Sequence, residues 1–329
     1  MLPPDNPTPS PSRTREGSIL AITGATGFVG SRVAALAGRP IRALTRRPQP
    51  PQAGVEWVVG DLDDGDALAR LCDGASAVIH IAGVVNAADE AGFRAGNVTG
   101  TANMLAAAAA AAANVPRFVH VSSLAAREPR LSMYGASKAE GDALVMASDR
   151  DWIIVRPPGV YGPGDAEMLD LFKAARLGIG LAPGRANARI SLIHVDDLAR
   201  ALLALAQGGP SREILEIDDG SGGYTHALHA NAMARALGRR RARMIPVSNR
   251  LLGFASSVAT LMAAWKGELP KLSRDRAFYL AHPDWVARGG NERLAAIWQP
   301  QIGLDAGMAE TVTDYRARGW LKSGSAIWP

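Results

Sequence analysis

Residues 19–30 read Ile19-Leu20-Ala21-Ile22-Thr23-Gly24-Ala25-Thr26-Gly27-Phe28-Val29-Gly30, and a helix-compatible stretch follows from Ser31. An apolar run, a glycine turn and a helix start, in that order, predict a seat for a dinucleotide pyrophosphate. Gly24 lets the chain turn sharply. Gly27 lets the backbone approach the phosphates with no Cβ in the way, and Gly30 lets the helix pack closely on the strand. The open amides and the positive end of the helix then attract the phosphates, so Thr26, Phe28 and Val29 join the glycines as expected cofactor-binding residues.

Further β-rich runs lie at Ile41 to Thr45, Val55 to Val59, Ala77 to Ile81, Arg117 to Ser122 and Trp152 to Val155, mostly separated by helical stretches. This alternation predicts an α/β fold: a Rossmann-type, doubly wound parallel sheet with a smaller C-terminal substrate-binding region. Ligands then belong at the carboxyl ends of the strands. The proline-rich 1–17 segment reads as a disordered tail, 18–160 as the dinucleotide-binding core, and 161–329 as mainly substrate-binding, with 190–206 returning to the core. A helix is expected from about Val98 to Ala113 and another over Asp196 to Ala206, with Asp196 as its cap.

The chain has 329 residues, enough for a substantial core, a formal net charge of +5 and one cysteine. Cys72 alone excludes an internal disulfide framework, fits a reducing compartment such as the cytoplasm, and reads as an inert helix residue. The arginines are scattered, with one short run at Arg239-Arg240-Arg241 and no aromatic interleaving, which argues against nucleic acid as a partner. Leu251 to Trp265 is too short and too polar to span a bilayer, but it can lie on a membrane surface. The segment His194-Val195-Asp196-Asp197 reads as a helix start rather than a metal site, so no metal is expected. His226 and His229, one turn apart without nearby carboxylates, read as partly exposed.

Tyr134-Gly135-Ala136-Ser137-Lys138 opens a helix to about Ala147, which puts Tyr134 and Lys138 on one face. A phenol is a poor proton shuttle at neutral pH, and an adjacent ammonium pulls its pKa toward the working range. Lys138 can also donate to a ribose hydroxyl. Ser122 and Ser123 end the fifth strand and bring a hydroxyl to the same sheet edge, where a serine can hold a carbonyl oxygen.

With these residues in place the chain resembles the extended short-chain dehydrogenase/reductase family, over roughly Ser18 to Leu321. The matching segments include the glycine turn, Gly60-Asp61-Leu62, Ala82-Gly83, Asn97 to Asn103, Ser122-Ser123, Tyr134 with Lys138, Arg156-Pro157 through Pro163, and His194 to Asp197. The resemblance implies a catalytic set of Ser123, Tyr134 and Lys138. It places Asp61 and Leu62 beside the adenine, Ala82 and Gly83 along the cofactor, Pro157 to Val160 near the nicotinamide, and Asn97 in a supporting polar role. The C-terminal half looks like the branch near 3β-hydroxysteroid dehydrogenases and dihydroflavonol reductases.

No acid stands about 20 residues past the glycine turn, where one would bind the ribose hydroxyls of NAD. Thr45-Arg46-Arg47 stands there instead, and two guanidinium groups suit a 2′-phosphate, so NADP(H) is expected over NAD(H). The apolar helix around Leu251 to Trp265 suits a lipophilic ketone or alcohol: a 3-oxo-lipid, ceramide-like or sterol-like molecule. A homodimer and a peripheral membrane contact are both compatible with that helix. The rivals are a nucleotide-sugar epimerase or dehydratase, in which Arg176, Arg185 and Arg189 would meet a diphosphate, and a noncatalytic accessory subunit of a respiratory complex.

Overall fold

The computed structural model describes residues 19–111, 117–185, 187–266, 269–270 and 273–322; the 1–17 tail and Ala112–Ala113 lie outside the described residues. In chain order the strands are β1 Ile19–Thr23, β2 Ile41–Thr45, β3 Val55–Val59, β4 Ala75–His80, β5 Arg117–Val121, β6 Asp151–Arg156, β7 Gly159–Tyr161, β8 Ile179–Pro183, β9 Arg189–Ile190, β10 Leu192–His194, β11 Glu213–Glu216, β12 Tyr224–Thr225, β13 Arg243–Val247 and β14 Asp284–Trp285. The helices are α1 Phe28–Leu36, α2 Gly65–Cys72, α3 Glu90–Arg94, α4 Gly100–Ala110, α5 Met133–Met146, α6 Leu169–Arg176, α7 Val195–Gln207, α8 His226–Ala236, α9 Asn249–Lys266, α10 Arg274–Leu280, α11 Gly290–Leu294 and α12 Leu304–Ala317.

Seven strands form one sheet in the order β11-β6-β5-β4-β1-β2-β3, and every pairing in it is parallel. Its central strands are apolar on both faces, as a sheet covered on both sides requires. One core packs Leu20, Ile22, Ile79 and Val119 against Leu198 and Leu202 of α7. The other packs Ala21, Val78 and Phe118 against Leu68 of α2 and Met104 of α4. A third cluster, with Tyr161, Phe172, Met233 and Tyr315, holds α6, α8 and α12 together beyond the sheet. The order of strands reverses beside β1, so the crevice lies above the carboxyl ends of β1 and β4.

Several expectations change. The return to the sheet runs past Ala206 to Glu216, because β11 adds to the β6 edge. The helix expected from Val98 begins as a π-helical turn, Ala95–Thr99, and continues as α4 only to Ala110. His226 and His229 are buried in α8, not surface residues, and burial lowers both imidazole pKa values, that of His229 to about 4. Cys72 is buried, which pushes its thiol up to about 12 and leaves it unreactive. Among the described residues, no helix is long and apolar enough to cross a membrane.

Candidate active site

At the mouth of β1 the turn has the shape a pyrophosphate needs. Gly24 has φ +75°, and a Cβ built there would lie 2.8 Å from Ala82 N. A Cβ on Gly30 would lie 2.0 Å from Gly24 O, so this glycine serves contact with the turn itself as well as helix packing. Gly27 differs: a Cβ there would lie 3.3 Å from Gly24 O, and the position is exposed. The α1 N-terminus has no side-chain cap and no acid in its first turn, leaving the amides open to an anion. Phe28 and Val29 are half-buried beside it, and Thr26 is exposed. The residues present therefore fit a dinucleotide phosphate.

The rest of the expected cradle follows along the strand ends. Arg46 and Arg47 are exposed just past β2, and among the described residues no hydrogen bond or ion pair engages either guanidinium. Asp61 is exposed and accepts the Asp63 amide at 2.9 Å, while Leu62 is half-buried. A Cβ on Gly83 would sit 2.7 Å from Asn97 Oδ1 and 3.8 Å from Lys138 Nζ, which brings the Ala82-Gly83 segment beside the lysine. Pro157 is buried, with its carbonyl accepting the Leu124 amide at 2.9 Å, and Val160 lies in β7.

Ser132 caps α5 by accepting the Gly135 amide at 2.9 Å, which orients the first turn and Tyr134 with it. The Tyr134 ring packs against Phe93 with centroids 6.1 Å apart. Burial pushes its phenol up from the ordinary value, and the Ser123 hydroxyl and the Arg276 charge oppose that rise only in part. Lys138 shares the helix face, but its Nζ donates to Val121 O at 2.9 Å. The groups that oppose the rise of the phenol are Ser123 and Arg276, with Lys138 held on the Val121 carbonyl. Burial lowers the Lys138 pKa to about 8, opposed by the Asp142 carboxylate.

Ser123 and Ser122 are distinguished by their surroundings. Ser123 interacts with the phenol and caps the next 3-10 turn, accepting Ala125 N at 3.2 Å. The Ser122 side chain is also buried, and its hydroxyl helps hold the Asp142 carboxylate below its usual range. Asn97 lies in the π-helical turn, where Oδ1 accepts Val84 N at 2.8 Å and Nδ2 donates to Val84 O and Ser137 Oγ, each at 2.9 Å. It braces the loop after β4 against α5.

Beneath these groups lies a polar layer that sequence reading missed. His80 Nδ1 is 2.8 Å from Thr23 Oγ1, and its Nε2 is 3.2 Å from Thr101 Oγ1. Its ring stacks on His120 at 5.5 Å. Asp142 lies 3.5 Å from His120 Nε2 and receives Arg156 Nε at 2.9 Å. Burial favours the neutral carboxyl, yet His120 and Arg156 hold Asp142 below the usual carboxylate range. Burial keeps both imidazoles below their ordinary pKa, so they are neutral at neutral pH. The available signal was a polar residue at matching registers of adjacent apolar strands, His80 opposite His120.

Helix α10 reaches the same place from the C-terminal region. Asp275 Oδ1 accepts the Met133 amide at 2.9 Å, next to Tyr134. Arg127 forms a second link: it donates to Glu216 Oε2 at 2.9 Å, Val286 O at 2.8 Å and Asp284 O at 2.7 Å.

Other expectations fail locally. His194, not Asp196, caps α7 by accepting the Asp196 amide at 3.3 Å. Asp196 instead takes a two-point contact from Arg32 at 2.5 and 2.7 Å, and Asp197 accepts the Gln301 and Ile302 amides at 2.9 and 2.8 Å. Arg176 donates to Lys322 O and Arg189 to Gly223 O, while Arg185 lines a separate surface pocket. Among the described residues no hydrogen bond or ion pair joins the three. Most large apolar side chains of α9 face outward, with Leu251, Phe254, Leu261 and Trp265 exposed and Leu252 buried.

Comparison with known proteins agrees with this architecture. The model of the NAD dependent epimerase/dehydratase family matches residues 20–218. A ceramide reductase from Caulobacter vibrioides is 39% identical over 311 residues, covering 92% of this chain and 96% of that protein. A Mycobacterium tuberculosis 3 beta-hydroxysteroid dehydrogenase/Delta 5-->4-isomerase is 29% identical over 230 residues, covering 59% and 62% respectively. Human epimerase family protein SDR39U1 (isoform 2), solved with NADPH, is similar with TM-score 0.68 and 21% identity, covering 90% of this chain and 99% of that one. The chain belongs to the NAD dependent epimerase/dehydratase family, within the extended short-chain dehydrogenases/reductases. It is an NAD(P)-dependent enzyme of the oxidoreductase kind.

Proposed function

We propose that the chain is an NADP(H)-dependent oxidoreductase of a lipophilic ketone or secondary alcohol, with Tyr134, Ser123 and Lys138 as its catalytic set. The observation that carries the reading is the meeting of Tyr134 and Ser123 beside a lysine that adjoins the Gly83 wall of the dinucleotide cradle. A bound reduced nicotinamide supplies the hydride. Ser123 and Tyr134 donate hydrogen bonds to the ketone oxygen, drawing electron density from carbon as charge develops on oxygen. The Tyr134 proton then passes to that oxygen, and the phenolate left behind is stabilised by Ser123 and Arg276. Because burial holds the phenol protonated, the resting site is loaded for ketone reduction. Lys138, beside the Gly83 wall, would donate to a ribose hydroxyl of the bound dinucleotide. Gly24, Thr26, Gly27, Phe28, Val29 and Gly30 hold the pyrophosphate, Asp61 and Leu62 flank the adenine, and Ala82, Gly83, Pro157 and Val160 line the remaining length.

For the cofactor, the unpartnered Arg46 and Arg47 support NADP(H), since each guanidinium is available to a 2′-phosphate. Arg46→Asp is expected to raise the NADPH Kd at least about tenfold and leave that for NADH within about twofold, read by fluorescence titration. Equal losses for both nucleotides would remove the assignment.

For the substrate, the ceramide reductase likeness and the apolar surface of α9 favour a 3-oxo-lipid, with 3-oxo-ceramide as the leading candidate and sterol-like ketones next. Such a substrate resides in a bilayer, so a cytoplasmic enzyme would meet it at a membrane surface. The nucleotide-sugar reading lacks a comparable feature, because Arg176 and Arg189 are engaged by backbone carbonyls. The test offers 3-oxo-ceramide, a 3-oxosterol and UDP-sugars separately while reduced-nicotinamide absorbance is followed. Oxidation of cofactor by the lipid ketones is expected; turnover of UDP-sugars alone would overturn the substrate class.

A further inference from the structure

Helix α9 is patterned inside out. Its buried positions are Leu252, Ser256 and Ala263, two of them small, whereas Leu251, Phe254, Val258, Leu261, Met262 and Trp265 face outward, Trp265 with 88% of its surface exposed. A helix facing water places its polar residues on the outer arc. The hydroxyls that α9 exposes are turned back on the helix: Ser257 Oγ donates to Gly253 O at 3.0 Å and Thr260 Oγ1 to Ser256 O at 2.8 Å. That back-bonding is how hydroxyls on a helix are satisfied where water is absent. Phe278 of α10 and Leu269 between the two helices add to the exposed apolar surface.

The charges bear on the occupant. Residues 249–266 carry Arg250 and Lys266 and no acid. At the foot of α9 a surface pocket of about 610 Å³ is lined by Arg185 and Arg250, neither of which has an ion-pair partner among the described residues. A two-fold contact with a second copy would run α9 antiparallel to itself, and residues 249–266 offer no acid to meet the Arg250 of the other copy. An anionic lipid surface matches both features, apolar groups entering the acyl boundary and guanidinium groups meeting headgroup phosphates. Trp265 suits the same boundary. At about 1.5 Å per residue the helix lies flat along roughly 27 Å of such a surface.

We propose that α9 docks this enzyme on anionic bilayers, laying Phe254, Leu261 and Trp265 into the lipid with Arg185 and Arg250 on headgroup phosphates. Docking also bears on delivery, which rests on the lipid-ketone reading above. α9 packs on α10, and α10 carries Asp275, bonded next to Tyr134, and Arg276, whose charge the phenol feels. A lipid leaving the bilayer at α9 therefore enters beside the reacting hydroxyl.

The test uses the full chain in co-sedimentation with vesicles of phosphatidylcholine alone and of phosphatidylcholine mixed with phosphatidylglycerol. The parent is expected on the mixed vesicles, released by high salt. The triple variant Phe254→Ser, Leu261→Ser, Trp265→Ser should lose at least about tenfold in partitioning, since its outward positions leave the fold intact, as circular dichroism would confirm. Arg185→Glu with Arg250→Glu should abolish the preference for phosphatidylglycerol. A parent that sediments with neither vesicle, or a triple variant that sediments equally well, overturns the proposal. So does a parent dimer that the triple variant converts to monomer while neither binds lipid. Turnover of a short water-soluble ketone separates the two readings: vesicle binding without any ketone reduction would keep the docking helix and discard the reductase assignment.

Discussion

Lys138 is enclosed between the end of β5 and the polar layer, with one carbonyl and one carboxylate to answer its charge. Its pKa of about 8 lies below the unfolded value of 10.5, so the folded state binds that proton more weakly than the unfolded chain does. The sign follows: the stability it contributes is fully present above the unfolded value and is lost as pH falls through about 8. Against Lys138→Met, the parent should therefore gain in relative Tm as pH rises from neutral to about 10, measured by thermal melts of both proteins without cofactor. A flat difference would show the lysine to be solvated. At the neighbouring position, Tyr134→Phe removes the transferable proton and little else. It is expected to lower kcat by about 10²–10⁴-fold while nucleotide titration stays close to the parent; loss of nucleotide binding instead would assign the phenol to the cradle.

The glycine turn before α1 separates two functions that a motif merges. At Gly30 a methyl group would meet the Gly24 carbonyl at 2.0 Å, backbone against backbone, so Gly30→Ala should lower stability by about 2–4 kcal/mol and carry cofactor affinity down with it. At Gly27 the nearest atom stands 3.3 Å away, so Gly27→Ala should melt near the parent yet lose nucleotide affinity by about tenfold or more, because the new methyl faces the phosphates. Melting curves with and without nucleotide distinguish the two. This element was legible in the chain because strand, turn and helix are contiguous. Tyr134 and Lys138 were legible for the same reason, one helical turn apart. The π-helical turn at Ala95–Thr99 was not, since its cause is the hold of Asn97 on Val84 and Ser137, one of them 40 residues away.

Across the molecule, Arg127 ties the sheet to the region that covers the site. Its three acceptors lie at Glu216 on β11 and at the carbonyls of Asp284 and Val286, and its guanidinium also lies 5.9 Å from the Trp285 ring centre. Arg127→Ala takes the donor from two carbonyls and leaves the Glu216 carboxylate with the Arg288 amide in place of a charge. A fall of about 2–4 kcal/mol in stability is expected, with KM for substrate raised more than kcat is lowered, because α10 follows the same C-terminal segment. Unchanged KM with reduced stability would confine Arg127 to folding.

Contiguous patterns carry their own geometry: the parallel sheet, the phosphate turn and the Tyr134-Lys138 face follow from neighbours within a few residues, where 2.0 and 3.6 periodicities operate. The polar layer of His80, His120, Asp142 and Arg156 had no such basis. Strand order brings β4 beside β5, and only that adjacency stacks His80 on His120, whose ring then faces Asp142 of α5. The outward turn of α9 is of the same kind, because a helix apolar around most of its circumference leaves its orientation open until packing chooses which residues go in. Here Ser256 and Ala263 went in with Leu252, and Phe254, Leu261 and Trp265 were left facing out.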